Sequence, residues 1–308
     1  MPGRRYRVVH RTEYEYGATM LDGYSVACLA ARPTSSQRVL STHVTTFPDA
    51  DERDERVDVF GNRVVQFGLH QPHDELVVQA MTEAHVWPQE LPRRDPSWER
   101  VAAAVSVLRG PLALQVAPFV ARSRFVDVDE HRLLLSDLAM PSFEPGRPIV
   151  EAMSALCTSI FESFSFDPSF TEVSTPLDHV IEQRRGVCQD FAHLTVGALR
   201  SLGLAARYVS GYIETDPPPG EPKVIGADAS HAWCSVWIPD HGWLDLDPTN
   251  GIIAPDRHVT VAWGRDYADV APVRGVVIGP ASPQTLRVSV DVTRVEVPDD
   301  DPSRQLIR

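Results

Sequence analysis

The hydrophobic pattern changes period after Pro88, and that change most limits what the chain can fold into. From Tyr6 to Tyr16 the residues Tyr6, Val8, His10, Thr12, Tyr14 and Tyr16 fall on one face, with mostly charged or polar residues between them. This is the mark of a half-buried strand. Similar short runs follow at 24–31, 38–47, 56–60, 64–69 and 75–87, divided by turn-formers such as Arg32-Pro33 and Gly61-Asn62. Strands at this spacing predict a β-sandwich. The acidic run 49–55 reads as a solvated loop, and His10, Tyr14 and Tyr16 read as core packing rather than site lining. After Pro88 the alternation stops. Pro92 and Pro96 mark a linker, and alanine- and leucine-rich stretches predict helices over 97–108, 112–122, 130–138 and 148–164.

At 308 residues the chain has room for two domains. The reading is α+β: an N-terminal β-sandwich-like domain at 1–90, a helical linker region at 91–149, a core at 150–297 that includes a C-terminal strand, and a polar tail at 298–308. A formal net charge of −13, spread along the sequence, argues against nucleic acid or an anionic bilayer as a partner. The longest apolar run is far too short to span a membrane, and no apolar segment follows the basic N-terminal residues. Cysteines at 28, 157, 188 and 234 form no C-x-x-C pair and no repeating spacing, so neither a zinc site nor a disulfide framework is expected. A reducing compartment, the cytoplasm, fits best; no metal and no cofactor is expected.

Within the core, Thr175, Pro176 and Asp178 predict a helix start, with Thr175 as N-cap. Gly186 then breaks the chain, and Phe191, Leu194, Ala198, Leu199 and Leu202 recur at helical spacing until Gly203. Cys188 therefore sits in a first helical turn, where unpaired N–H groups and the helix dipole favour a thiolate. Two strand-like stretches follow, His231-Ala-Trp-Cys-Ser-Val-Trp-Ile and Trp243-Leu-Asp-Leu-Asp-Pro-Thr-Asn. An even loop between them would put His231 and Asp247 on opposite faces; an odd loop or a bulge would set Asp247 opposite Trp233 and diagonal to His231. The second arrangement is the expectation. Cys234 should then face away from His231 and join the core.

Gly-Val-Cys-Gln-Asp-Phe-Ala, Ser-His-Ala-Trp and Asp-Pro-Thr-Asn, in that order and spacing, resemble the transglutaminase-like superfamily of cysteine enzymes over about residues 150–265. The opening Tyr-Arg-Val-Val-His-Arg-Thr-Glu-Tyr-Glu-Tyr and the segment Asp-Val-Phe-Gly-Asn-Arg resemble the N-terminal β-domain of many bacterial members. The resemblance implies a papain-like core with a helix-borne cysteine packed on an antiparallel sheet. It implies Cys188 as nucleophile, His231 as its base and Asp247 as the carboxylate that orients the imidazole. Gln189, Asp190 and Trp233 stand as cleft or supporting candidates. The second oxyanion donor stays open, with Gln189 and Gln183 suitable by type alone.

A histidine within reach of a thiol makes a thiolate–imidazolium pair, which attacks an amide to give a thioester. Water as acceptor makes a protease or amidase; a primary amine makes a protein-glutamine gamma-glutamyltransferase. Bacterial relatives of this layout are commonly regarded as peptidase-like, so hydrolysis of a protein or peptide is favoured. No acidic loop has calcium-binding spacing, so the calcium requirement of animal transglutaminases is not implied. A non-catalytic binding module on the same fold is the alternative from another class.

Overall fold

The computed structural model describes residues 3–170, 175–215, 228, 230–253 and 255–295. Two four-stranded antiparallel sheets form the sandwich. The first runs in the order Gln284–Val295, Arg4–Met20, His73–Val86, Gln37–Phe47, and the second Val273–Ile278, Asp22–Ala30, Arg63–Leu69, Glu52–Val57. The alternation of the first strand holds: Tyr6, Val8, His10, Thr12 and Tyr16 are buried and Tyr14 is half-buried.

The C-terminal strand expected with the core belongs to this sandwich instead. Gln284–Val295 pairs with the first strand along twelve positions, from Arg5↔Val295 to Tyr16↔Gln284, and Val273–Ile278 pairs with Asp22–Ala30. One edge of each sheet is thus filled by a strand from far along the chain. The acidic run also differs from expectation: Glu52–Val57 is a fully exposed edge strand, and 58–62 is the turn. Its charges cover an edge that would otherwise invite pairing. The polar tail at 298–308 lies outside the described residues.

The core is a five-stranded antiparallel sheet, ordered Ile252–Ile253, Gly242–Asp247, Ser230–Ile238, Ala206–Ile213, His258–Gly264. Helices Ile149–Ser163 and Cys188–Ser201 cover one face, where Leu156, Ile160, Leu194, Leu199, Cys234, Val236 and Leu246 are all fully buried. Between the halves lie the short helices Trp98–Ser106, Gly110–Val116 and Arg132–Ala139. Buried Arg200 ties this helical region to the core through the carbonyls of Phe119, Ala121, Ala206 and Arg265.

Beyond the helices the core sheet also packs on the sandwich, through the same face that carries Cys234. Tyr6, Val8, Val86, Val290 and Val292 share one apolar cluster with Tyr208, Tyr212, Ala232, Val259 and Val261. Two side-chain amides stand in for a missing neighbour of the edge strand His258–Gly264. Gln37 donates to the Thr260 carbonyl (2.7 Å) and accepts from its N–H (2.8 Å); Asn62 does the same with Trp263 (2.8 and 3.0 Å). The indole of Trp263 lies between two guanidinium groups, with Arg32 at 3.2 Å and Arg207 at 3.6 Å from the ring centre. The sandwich is thereby the cover of the core sheet's edge.

Replacing both amides by leucine, Gln37→Leu with Asn62→Leu, orphans four backbone groups, two at buried Thr260 and two at half-buried Trp263. At about 1–3 kcal/mol per unsatisfied group, the double variant should lose several kcal/mol in urea-induced unfolding, with each single variant about halfway.

Candidate active site

Each element of the site is placed by a local feature. The helix Cys188–Ser201 follows Val187, whose backbone is extended (φ −114°, ψ 179°). Asp190, three residues into the helix, reaches back to accept the Val187 N–H at 2.8 Å. A side chain at 186 would meet that carboxylate at 2.8 Å, so glycine there makes room for the cap as well as breaking the chain. Gly203 (φ +80°) closes the other end. The preceding helix differs from expectation: it begins at Leu177, with Pro176 extended at its N-cap position rather than inside the first turn. Its C-cap, Arg184, is left-handed (φ 52°), and Arg185–Gly186 pairs with Ser165–Phe166, fixing the approach to Cys188.

The two site strands meet in an odd loop. Ile238 pairs with Gly242 across Pro239-Asp240-His241, and the register runs through Ser235↔Asp245 to Cys234↔Leu246. Asp240 (φ +61°) and Gly242 (φ +99°) supply the left-handed backbone that a three-residue turn requires. One step further, Asp247 falls opposite Trp233 and diagonal to His231, so both side chains emerge on one face. Cys234 points to the other and is buried in the core.

His231 Nε2–H donates to Asp247 Oδ2 at 2.7 Å. The ring is also hydrogen-bonded to the Cys188 thiol, and with Nε2 committed to Asp247, Nδ1 is the nitrogen that meets the sulfur. Burial disfavours the imidazolium, but hydrogen bonds to Asp247 and Cys188 outweigh it and raise the His231 pKa to about 10. Asp247 is fully buried. Burial alone would favour its neutral form, but donation from His231 and His258 holds the carboxyl well below the usual carboxylate range. Asn250 Nδ2 donates to the same oxygen at 2.6 Å, and the N–H groups of Thr249 and Asn250 reach Oδ1 at 3.0 and 3.3 Å. The other three cysteines are buried free thiols: burial pushes Cys28 and Cys157 up to about 12 and Cys234 well above the ordinary value. Cys188 is the partly exposed one.

The remaining candidates separate. Gln189 lines the cleft beside Cys188. Asp190 is the helix cap described above. Trp233 is fully buried, stacked beneath His231 (6.1 Å between ring centres) and donating to Asp245 at 3.1 Å, so it supports the imidazole from below and is no cleft wall. His10 and Tyr14, expected to be core packing, line the cleft, whereas Tyr16 is in the sandwich core. Gln183 is exposed at a helix end.

The chain is similar to known proteins of one family. The profile of the transglutaminase-like superfamily matches residues 138–248, and that of the bacterial transglutaminase-like N-terminal region matches 6–85. An uncharacterized protein of Mycobacterium tuberculosis (strain H37Rv) is 38% identical over 301 residues, covering 95% of this chain and 93% of the relative. The chain belongs to the transglutaminase-like superfamily. A Pseudomonas aeruginosa protein named protein-glutamine gamma-glutamyltransferase is 27% identical over 199 residues, or 60% of this chain and 27% of that protein. A crystal structure from Cytophaga hutchinsonii, provisionally described as a cysteine protease, superposes with a TM-score of 0.72 at 20% identity, covering 97% of this chain and 93% of that one. This likeness shows a shared fold, in which a β-rich region precedes a transglutaminase-like core of papain-like type.

One member of this transglutaminase-like site was not anticipated. His258 opens the edge strand and donates from Nε2 to Asp247 Oδ2 at 2.8 Å. It is buried, and burial lowers its pKa against the pull of Asp247, so the ring is neutral. Its Nδ1 has no hydrogen-bond partner among the described residues. A lone histidine before the apolar run Val-Thr-Val-Ala-Trp was the available signal; only the sheet order, which brings the strand beside Ala206–Ile213, gives it meaning.

His231, Asp247 and His258 also have the donor types of a metal triad. Ligand atoms around a tetrahedral zinc ion lie about 3.3 Å apart, whereas these contacts are 2.7 and 2.8 Å and the shared oxygen takes a third proton from Asn250. The spacing is that of shared protons, so the triad as arranged does not fit a metal.

The raised His231 pKa has a definite sign. Its imidazolium favours the folded state fully below the unfolded value of about 6.5, and that contribution is lost as pH rises through about 10. Asp247→Asn removes the acceptor, so NMR titration of the His231 ring should move from near 10 towards neutrality, and the alkaline loss of stability should begin at lower pH.

Proposed function

We propose that the protein is a cysteine-dependent enzyme that cleaves an amide in a protein or peptide through a thioester on Cys188. The hydrogen-bonded chain Cys188–His231–Asp247, open to a cleft at the sulfur end, carries this reading.

The proton of the Cys188–His231 pair resides on the imidazole, and Sγ attacks the amide carbon. Negative charge develops on the carbonyl oxygen, and the backbone N–H of Cys188, in the first turn of its helix, is suited to receive it. The C–N bond breaks as His231 returns its proton to the leaving amine, which leaves a thioester. Water then attacks that carbon, again giving its proton through His231, and the acid departs as the thiol is restored. Asp247 keeps the tautomer in which Nε2 carries a proton and Nδ1 faces sulfur. Asn250 and His258, both donating to Asp247, keep the carboxylate from turning away from His231. A reducing compartment such as the cytoplasm belongs to the same proposal, since the nucleophile must remain a free thiol.

A primary amine as acceptor is the second reading, favoured by the likeness to the named gamma-glutamyltransferase. Hydrolysis is preferred because, among the described residues, no aspartate or glutamate lines the cleft to draw in an ammonium group. A glutamine-containing peptide, incubated with and without a labelled primary amine, separates the two. Hydrolysis products should dominate in both tubes; label entering the peptide faster than it hydrolyses would reverse the preference.

Cys188→Ala should abolish turnover, His231→Ala should reduce kcat by at least about 10²-fold, and Asp247→Asn by about 10²–10⁴-fold. Iodoacetamide labelling of Cys188 near neutral pH should slow markedly in His231→Ala. A labelling rate indifferent to His231 would instead favour a binding module with an idle cysteine.

A further inference from the structure

The mouth of the cleft is walled by the sandwich, and the wall is made from the two ends of the chain. Register places Tyr14 beside Leu286, Thr12 beside Val288, and His10 beside Val290, all on the face turned to the core. Along the last strand that face changes character. Val290 and Val292 are buried in the joint with the catalytic sheet (1% and 0% exposed), whereas Leu286 and Val288 are 54% and 51% exposed. These two line the same cleft as Cys188 and His231, which has a volume of about 260 Å³.

We propose that Tyr14, Leu286 and Val288 form a subsite for an uncharged, apolar side chain of the peptide substrate, adjoining the amide that Cys188 attacks. The proposal rests on the acyl-transfer reading above and names the substrate class it acts on.

Three observations carry it. The apolar pair is the continuation of a buried face, left uncovered only where it crosses the cleft. Among the described residues no Asp, Glu, Lys or Arg lines the cleft, in a chain whose net charge is −13. His10 adds no charge either: its ring is buried between Thr12 Oγ1 (2.9 Å) and the Tyr212 hydroxyl (3.1 Å), and burial lowers its pKa to about 4. A charged side chain entering here would lose its hydration and find no counter-ion, while an apolar one would cover Leu286 and Val288. The volume lies just below the usual range for small-molecule sites, about 300–1,000 Å³, so it takes one or two residues of an extended chain.

Peptidyl chloromethyl ketones test this directly, because Cys188 sulfur displaces chloride and the adduct is read by intact mass. Two probes differ only in leucine or glutamate next to the reactive ketone, and each rate is divided by the iodoacetamide rate of the same protein. The full-length chain should label with the leucine probe about tenfold faster or more. In Leu286→Lys, and separately in Val288→Lys, that ratio should fall and the glutamate probe should gain several-fold. Both side chains are half exposed, so neither change disturbs a packed core. Equal rates with the two probes, or a leucine preference unaltered in both variants, would overturn the subsite while the His231 dependence of iodoacetamide labelling still stood. Loss of that dependence would instead remove the acyl-transfer reading on which the subsite rests.

Discussion

A single carboxylate oxygen holds the site together. Asp247 Oδ2 accepts from His231, His258 and Asn250, and each donor comes from a different stretch of backbone. A charge without solvent exposure is expensive unless every lone pair is used, and here the cost is offset by three side-chain donors on one oxygen and two backbone N–H groups on the other. The arrangement fixes more than a histidine. It requires the hairpin to be in odd register, the turn after Asp247 to curl its N–H groups back, and the edge strand carrying His258 to lie where it does. That strand is in turn kept in place by the amides of Gln37 and Asn62. A change in the sandwich at Gln37 is thus connected to the His231 imidazole through Thr260, His258 and Asp247.

The same chain of dependence explains why the N-terminal region is more than an appendage. It supplies the missing strand neighbour of the core sheet, half of the apolar joint behind Tyr208 and Tyr212, and the outer wall of the cleft. Gly211 shows how tightly these layers are set: it pairs with His231 on one side and Thr260 on the other, and a Cβ there would lie 2.1 Å from the Val259 carbonyl oxygen.

What the sequence made legible was whatever is encoded over a few neighbouring residues. Period-two alternation located the sandwich strands and helical spacing from Phe191 to Leu199 located the helix of Cys188; the sequence left the hairpin's loop parity open between even and odd, and the odd arrangement expected is the one found. What stayed hidden depends on partners distant in sequence. Alternation in the last strand marks a strand but not its neighbour, so Gln284–Val295 was grouped with the core it follows instead of the strand it joins. Glu52–Val57 has no apolar face at all and becomes a strand only through pairing with Arg63–Leu69. Gln37, Asn62 and His258 are single polar residues in unremarkable contexts, and their roles exist only once the sheet edge is next to them. His10 and Tyr14 were assigned to packing because burial and cleft lining leave the same mark on a strand.

The pairing of the first strand with the last also has a consequence in time. Chains emerge from the ribosome N-terminus first, and Arg4–Met20 is synthesised long before Gln284–Val295, its neighbour along twelve positions. Until then the first strand has one free edge and the cleft lacks its outer wall. The helix of Cys188 and its hairpin, encoded in between, can pack before that wall arrives. The nascent thiol is therefore uncovered on that side until Gln284–Val295 has been made.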